Sequence, residues 1–111
     1  MRKSALYEKA EQKAIVKWLE NRGFFVFHIP NHKEMHKDPG AMSGIPDLQI
    51  VLPEGKVIWI ELKRREGGRL SPVQKEVHKR LEELGHIVIV GYGEGCYGEV
   101  QRNPCKLVSA S

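Results

Sequence analysis

"GIPDLQIVLPEGKVIWIELK", Gly44 to Lys63, is the stretch on which the fold turns. Two runs of alternating apolar residues, Leu48–Leu52 and Val57–Leu62, flank Pro53-Glu54-Gly55. A three-residue loop suits this spacing, with Pro53 opening a type I turn and Gly55 in the left-handed bulge position. Leu52 then pairs with Lys56, and that register sets Asp47 directly across from Glu61. Because side chains alternate along a strand, Leu48, Ile50, Leu52, Ile58, Ile60 and Leu62 form one wholly apolar face. Asp47, Gln49, Val51, Val57, Trp59, Glu61 and Lys63 share the other.

Two carboxylates in directly opposed positions, with Cβ atoms ~4.5–5.5 Å apart, destabilise a sheet unless something offsets their repulsion. Lys63 offsets part of it. A divalent cation between the carboxylates offsets more, and oxygen-only ligands suit magnesium or manganese rather than zinc. The plainer reading is a surface hairpin with a Glu–Lys pair on its wet face. Trp59 and two valines on that face argue instead for cover on both sides. With a cation present, phosphodiester hydrolysis is the chemistry that fits, Lys63 orienting the attacking water or offsetting charge on the phosphorane. Arg64, Arg65 and Arg69, on the basic loop that leaves the same strand, are placed for phosphate contacts.

Around the hairpin the chain alternates helices and strands. Leu6, Tyr7, Ala10, Ala14, Ile15, Trp18 and Leu19 recur at helical steps and predict a helix over 5–22, stopped by Gly23. Phe24–Ile29 reads as a strand and Pro30–Ser43 as a polar loop. Ser71-Pro72-Val73-Gln74 is a capping box with proline in the first turn, and opens a helix that runs to Leu84 before Gly85. Ile87–Val90 is a short buried strand, and a glycine-rich tail follows from Gly91. The expected fold is α/β: a central mixed sheet of about four strands flanked by helices, in the order α-β-β-β-α-β, as a single domain over 1–111.

Composition narrows the function. A chain of 111 residues, 41% hydrophobic and 29% charged, is ordinary for a globular domain. No run is long and apolar enough to cross a membrane, and the first residues have no secretory h-region. Cys96 and Cys105 lack metal-site spacing and fit a reducing, cytoplasmic setting. A net charge of +4 leans towards a polyanionic partner.

Gly44-Ile45-Pro46-Asp47, then Glu61-Leu62-Lys63, then Ser71-Pro72-Val73-Gln74 resemble the VRR-NUC domain, the virus-type replication-repair nuclease of the PD-(D/E)XK superfamily. The resemblance runs from the first helix to the last strand and implies a restriction-endonuclease-like core. It further implies a magnesium- or manganese-dependent nuclease in which Asp47, Glu61 and the backbone carbonyl of Leu62 are metal ligands. Lys63 would be the catalytic lysine and Gln74 an active-site residue that also closes the capping box. Family members use a glutamate on the first helix. Glu8, four residues before Gln12, fits that pattern. Glu11 lies nearer the apolar stripe, where an uncompensated carboxylate is costly.

Other motifs carry less. His32 and His36 stand at i, i+4, but Glu34 is misplaced for H-E-x-x-H. Gly93, Gly95 and Gly98 satisfy G-x-G-x-x-G, yet the further helix, strand and acidic residue of a dinucleotide fold do not follow, so no nucleotide cofactor is expected. Trp18 belongs to the core, and the cations from Lys75 to Arg80 are a solvated helix face. The expected activity is DNA endonuclease, selective for branched DNA and acting on Holliday-type junctions as a homodimer, whose two-fold axis matches that of a four-way junction. The alternatives are a non-catalytic DNA-binding module on the same fold, and a nuclease for flaps, ends or RNA. For the dimer surface, the candidates are Ile87–Val90 and the stretch from Gly91 to Val100.

Overall fold

The computed structural model describes residues 2–29, 44–63 and 68–102, with the side chains of the first helix from residue 10 onward. Helix α1, Arg2–Asn21, ends in a Schellman motif. Gly23 takes φ +85, its N–H donates to the Glu20 carbonyl, and the Phe24 N–H donates to the Leu19 carbonyl. That reversal sends strand β1, Phe25–His28, back along the helix. Strands β2, Leu48–Val51, and β3, Val57–Leu62, form the hairpin. Helix α2, Pro72–Glu83, carries the chain over to strand β4, Ile87–Gly91. A further helix, α3, Gly93–Arg102, then closes the domain.

The sheet runs in the order β1-β2-β3-β4. The first two pairings are antiparallel and the last is parallel, as the β3–α2–β4 crossover requires. The hairpin has the expected register: Leu48 pairs with Ile60, Ile50 with Ile58 and Val51 with Val57, and the Leu52 N–H donates to the Lys56 carbonyl. Its turn differs from expectation. Glu54 itself sits at φ 65, ψ 28, ahead of Gly55 at φ 75, so the left-handed region begins one residue earlier than a type I turn with a bulge would place it. The register survives because the loop length, not the turn type, sets which residues pair.

The apolar face of the hairpin is the core. Leu48, Ile50, Ile58 and Ile60 are wholly buried, and Leu52 and Leu62 nearly so, beneath Ile15 and Leu19 of α1 and Cys96 and Val100 of α3. Burial pushes the Cys96 thiol up to about 12, so it stays protonated in the folded chain. Trp18, expected in the core, lies half-buried at its margin, stacked on Tyr97 at 4.6 Å and covered by the Arg22 guanidinium.

Helix α3 replaces the irregular tail that three glycines suggest. Each helical glycine costs about 1 kcal/mol against alanine, but Cys96 and Val100, one turn apart, each bury an apolar side chain. Gly93 serves close packing, since a Cβ there would stand 3.0 Å from the Glu11 carbonyl oxygen. The loop expected over Pro30–Ser43, with His32 and His36, lies outside the described residues, as does Cys105.

Candidate active site

The opposite face of the sheet carries the polar chemistry, and α2 holds it together. The ladder Leu48–Ile60 is the last hydrogen-bonded pair of the hairpin. One step beyond it, Asp47 stands across from Glu61. The Asp47 carboxylate does not point into empty space: its Oδ2 accepts a 2.7 Å hydrogen bond from the Leu62 N–H. The aspartate thus grips the backbone of the strand that carries the second carboxylate.

Glu61 is 2% exposed. A carboxylate so deeply buried is costly unless hydrogen-bonded, and helix α2 supplies the partners. Gln74 Nε2 donates to Glu61 Oε2 at 3.2 Å, and His78 Nε2 lies 3.3 Å from Glu61 Oε1. The amide of Gln74 has its orientation fixed from the other side. Its Oε1 accepts from the Lys63 ammonium at 3.0 Å and from the Ser71 N–H at 2.9 Å. Both of those groups can only donate. The amide oxygen must therefore face them, leaving the NH2 for Glu61. With the Ser71 hydroxyl accepting from the Gln74 N–H, the capping box and the site are one hydrogen-bond network.

The entry to β2 is shaped for this docking. Gly44 takes φ +84, and a Cβ there would fall 2.9 Å from Val73 Cγ1 and 3.0 Å from the Val73 carbonyl oxygen. The Gly44-Ile45-Pro46-Asp47 segment can pass beneath the start of α2 only without a side chain at 44. Four residues of one short motif thus serve two ends: close approach of the helix, and delivery of Asp47.

His78 is the residue that the motifs do not announce. It is buried, and burial, opposed by Glu82, lowers its pKa, with Lys63 lowering it further. A proton on Nε2, in either the neutral or the charged ring, lets it donate to the Glu61 carboxylate. The signal was present in the sequence, for His78 follows Gln74 by one helical turn and so shares its face.

The structure thus brings Asp47, Glu61, Lys63 and Gln74 to one end of the sheet. Arg69 is exposed beyond β3, while Arg64 and Arg65 lie outside the described residues. Glu8 belongs to the described backbone of α1, but its side chain does not. Glu11, one turn on, is half-buried, packs against Gly93, and has its Oε2 sealed from solvent.

The donor set suits a hard divalent ion. Asp47 and Glu61 offer carboxylate oxygens, and no group of three or more His, Cys, Asp or Glu side chains gathers for a metal among the described residues. Oxygen-only donors of this kind are what hard cations take, with waters completing the shell.

Comparison with known proteins identifies the family. The sequence profile of the VRR-NUC domain matches residues 6–95. A phage protein, "Putative nuclease p44" of Acyrthosiphon pisum secondary endosymbiont phage 1, is 47% identical over 52 residues, which are 47% of this chain and 54% of that protein. The chain therefore matches about half the length of this curated relative. A solved "VRR_NUC domain" superposes with a TM-score of 0.60 at 29% identity, covering 77% of this chain and 83% of that one. A solved "VRR_NUC domain protein" gives a TM-score of 0.73 at 22% identity over 88% of each chain, a likeness of fold. On the profile match, which takes in both carboxylates, Lys63 and α2, the chain belongs to the VRR-NUC domain family.

Proposed function

We propose that this domain is a metal-dependent endonuclease that hydrolyses DNA phosphodiester bonds, is selective for branched DNA, and resolves Holliday-type junctions as a homodimer. The observation that carries the reading is the buried Glu61, held on both oxygens by α2 and set opposite Asp47 beside Lys63. A fold has no use for such a carboxylate as a structural element, because an apolar side chain of the same size would be cheaper to bury.

Asp47, Glu61 and the Leu62 carbonyl would hold a magnesium or manganese ion. When bound, it supplies Lewis-acid activation of the phosphate and of the attacking water. The protein's own groups do the rest. Lys63, tethered to the Gln74 amide oxygen, presents its ammonium to charge developing on the phosphorane and orients the nucleophile. Gln74 keeps Glu61 and Lys63 at a fixed separation, which preserves a preorganised field. His78, donating from Nε2, fixes the Glu61 rotamer in the manner of an outer-shell partner. Glu8 is taken as the glutamate of the first helix, because it stands four residues before Gln12 as the family pattern has it. Arg64, Arg65 and Arg69 grip the phosphate backbone, so binding weakens steeply with salt. One such site makes one nick, and a four-way junction needs two, which a two-fold dimer supplies.

The test incubates the purified protein with four-way junctions, flapped DNA and linear duplex, with and without magnesium, alongside Asp47→Ala, Glu61→Ala and Lys63→Ala. Light scattering is run on the same samples. Junction cleavage should require the metal and vanish in each variant. Metal-dependent cleavage retained in Glu61→Ala refutes the site. A monomer at micromolar concentration that cuts junctions and linear duplex equally removes the resolvase reading and leaves a general nuclease.

A further inference from the structure

Helix α2 covers only part of the sheet face that bears the carboxylates. The strand pairings order that face in rows. Phe27 pairs with Gln49, Gln49 with Trp59 and Trp59 with Val88. The next row outward contains Phe25, Val51 and Val57. In the other direction, the Ile29 N–H donates to the Asp47 carbonyl at 2.7 Å. This carries the register into the row of Ile29, Asp47 and Glu61. Phe27 is therefore the diagonal cross-strand neighbour of Asp47, with Cα atoms ~7–8 Å apart.

Phe25 is 62% exposed and Phe27 40%, and their rings meet at 4.6 Å, tilted by 56°. Leaving the two rings this exposed forgoes on the order of 1 kcal/mol each of burial. It also places them on an edge strand, where apolar side chains invite aggregation. Folding supplies no reason for the pair, because its alternate, Val26, already points into the core.

We propose that Phe25 and Phe27 form a stacking wall for unpaired DNA bases beside the cleavage site. The inference rests on the reading of Asp47 and Glu61 as a nuclease centre and adds the part of the substrate that the centre holds. A strand whose phosphate lies at Asp47 passes Phe27 within about two nucleotides, given ~3.4 Å of rise per stacked base. Bases inside a duplex have both faces occupied by their neighbours, so only bases freed at a branch, gap or flap can lie on the rings. Each such stack contributes ~1–3 kcal/mol and tolerates any base. The patch carries no charge of its own, so it suits the base side of a strand while Lys63 and Arg69 attend to the phosphates. Preference for branched substrates then comes from a surface next to the chemistry.

Binding is measured in EDTA, so that no strand is cut, with single-stranded, gapped and fully paired DNA of equal length. Native protein is compared with Phe27→Leu and with Phe25→Leu/Phe27→Leu, which keep apolar bulk and remove the rings. Affinity for unpaired DNA should fall roughly tenfold per ring, with duplex affinity held within about twofold. DNA carrying 5-iodouracil two nucleotides from the cut should photo-cross-link to the peptide containing Phe25 and Phe27. Unchanged affinity for unpaired DNA, an equal loss on duplex, or cross-links that avoid β1 each overturn the proposal. A loss accompanied by conversion of a dimer to a monomer in light scattering also overturns it, and makes the patch a contact between copies. None of these outcomes touches the metal-dependent cleavage lost in Glu61→Ala, which tests the nuclease centre by itself.

Discussion

The two faces of the β2–β3 hairpin are built from the same strands and solve opposite problems. On one, Ile58 and Ile60 are closed to solvent among the apolar side chains of α1 and α3. On the other, Glu61 is buried almost as fully, and hydrogen bonds from Gln74 and His78 of α2 help to make this tolerable. The apolar face needs only the right residues at the right parity. The polar face needs a helix delivered from eleven to seventeen residues away in sequence, with side chains aimed to within a few tenths of an ångström.

Adjacent residues allow that contrast to be tested directly. Ile60→Ala empties a sealed core position and should cost ~2–5 kcal/mol, seen as a fall in melting temperature of at least about 10 °C. Cleavage at a temperature where the variant stays folded should persist. Glu61→Gln should do the reverse. His78 can present its other tautomer to the new amide, so stability should change by less than about 1 kcal/mol, while cleavage falls by on the order of 10³-fold or more, ~4 kcal/mol of transition-state stabilisation. If Ile60→Ala lost cleavage while remaining folded, or Glu61→Gln unfolded the domain, the division of labour between the faces would be wrong.

The same contrast explains what could be read in the sequence. The register of the hairpin and its six core residues follow from period-two alternation and loop length, both of them local. Asp47, Glu61, Lys63 and Gln74 were legible as spaced motifs. His78 was not, because its role exists only once α2 lies over β3, although its place one turn after Gln74 put it on the right face. Helix α3 was hidden by local propensity: Gly93, Gly95 and Gly98 argue against a helix, and only the burial of Cys96 and Val100 against α1 and the sheet overrules them. Glu54 in the left-handed region is a third case in which the surroundings, not the residue's preference, decide the backbone. The exposed rings of Phe25 and Phe27 were read as strand-forming residues, and only the register shows which way they point.

A smaller effect separates the carboxylates from the scaffold. Magnesium or manganese that binds only the folded site should raise the melting temperature by mass action, equivalent to ~2.7 kcal/mol when the ion is at about 100 times its dissociation constant. Asp47→Asn keeps an oxygen for the Leu62 N–H but loses the charge, so the shift should disappear while the unliganded melting temperature stays close to native. Equal shifts in native protein and variant, followed by differential scanning fluorimetry, would place the ion elsewhere and leave the opposed carboxylates without their explanation.

The finest test addresses Gln74, where capping and chemistry meet in one side chain. Gln74→Glu retains an oxygen for the Ser71 N–H and for the Lys63 ammonium, so the start of α2 should keep its cap. What it removes is the NH2 that donates to Glu61 Oε2 at 3.2 Å, and it sets a second carboxylate against a buried one. Gln74→Ala removes both roles and should cost the cap, ~1 kcal/mol, along with the tether on Lys63. If positioning Glu61 and Lys63 is what Gln74 contributes, both variants should lower kcat by roughly 10- to 100-fold, the alanine losing stability through the cap and the glutamate through the opposed carboxylates, by ~1–3 kcal/mol. A glutamate variant with native kcat would show that Gln74 serves the capping box alone. Steady-state cleavage and thermal unfolding, measured on the same two proteins, separate the outcomes.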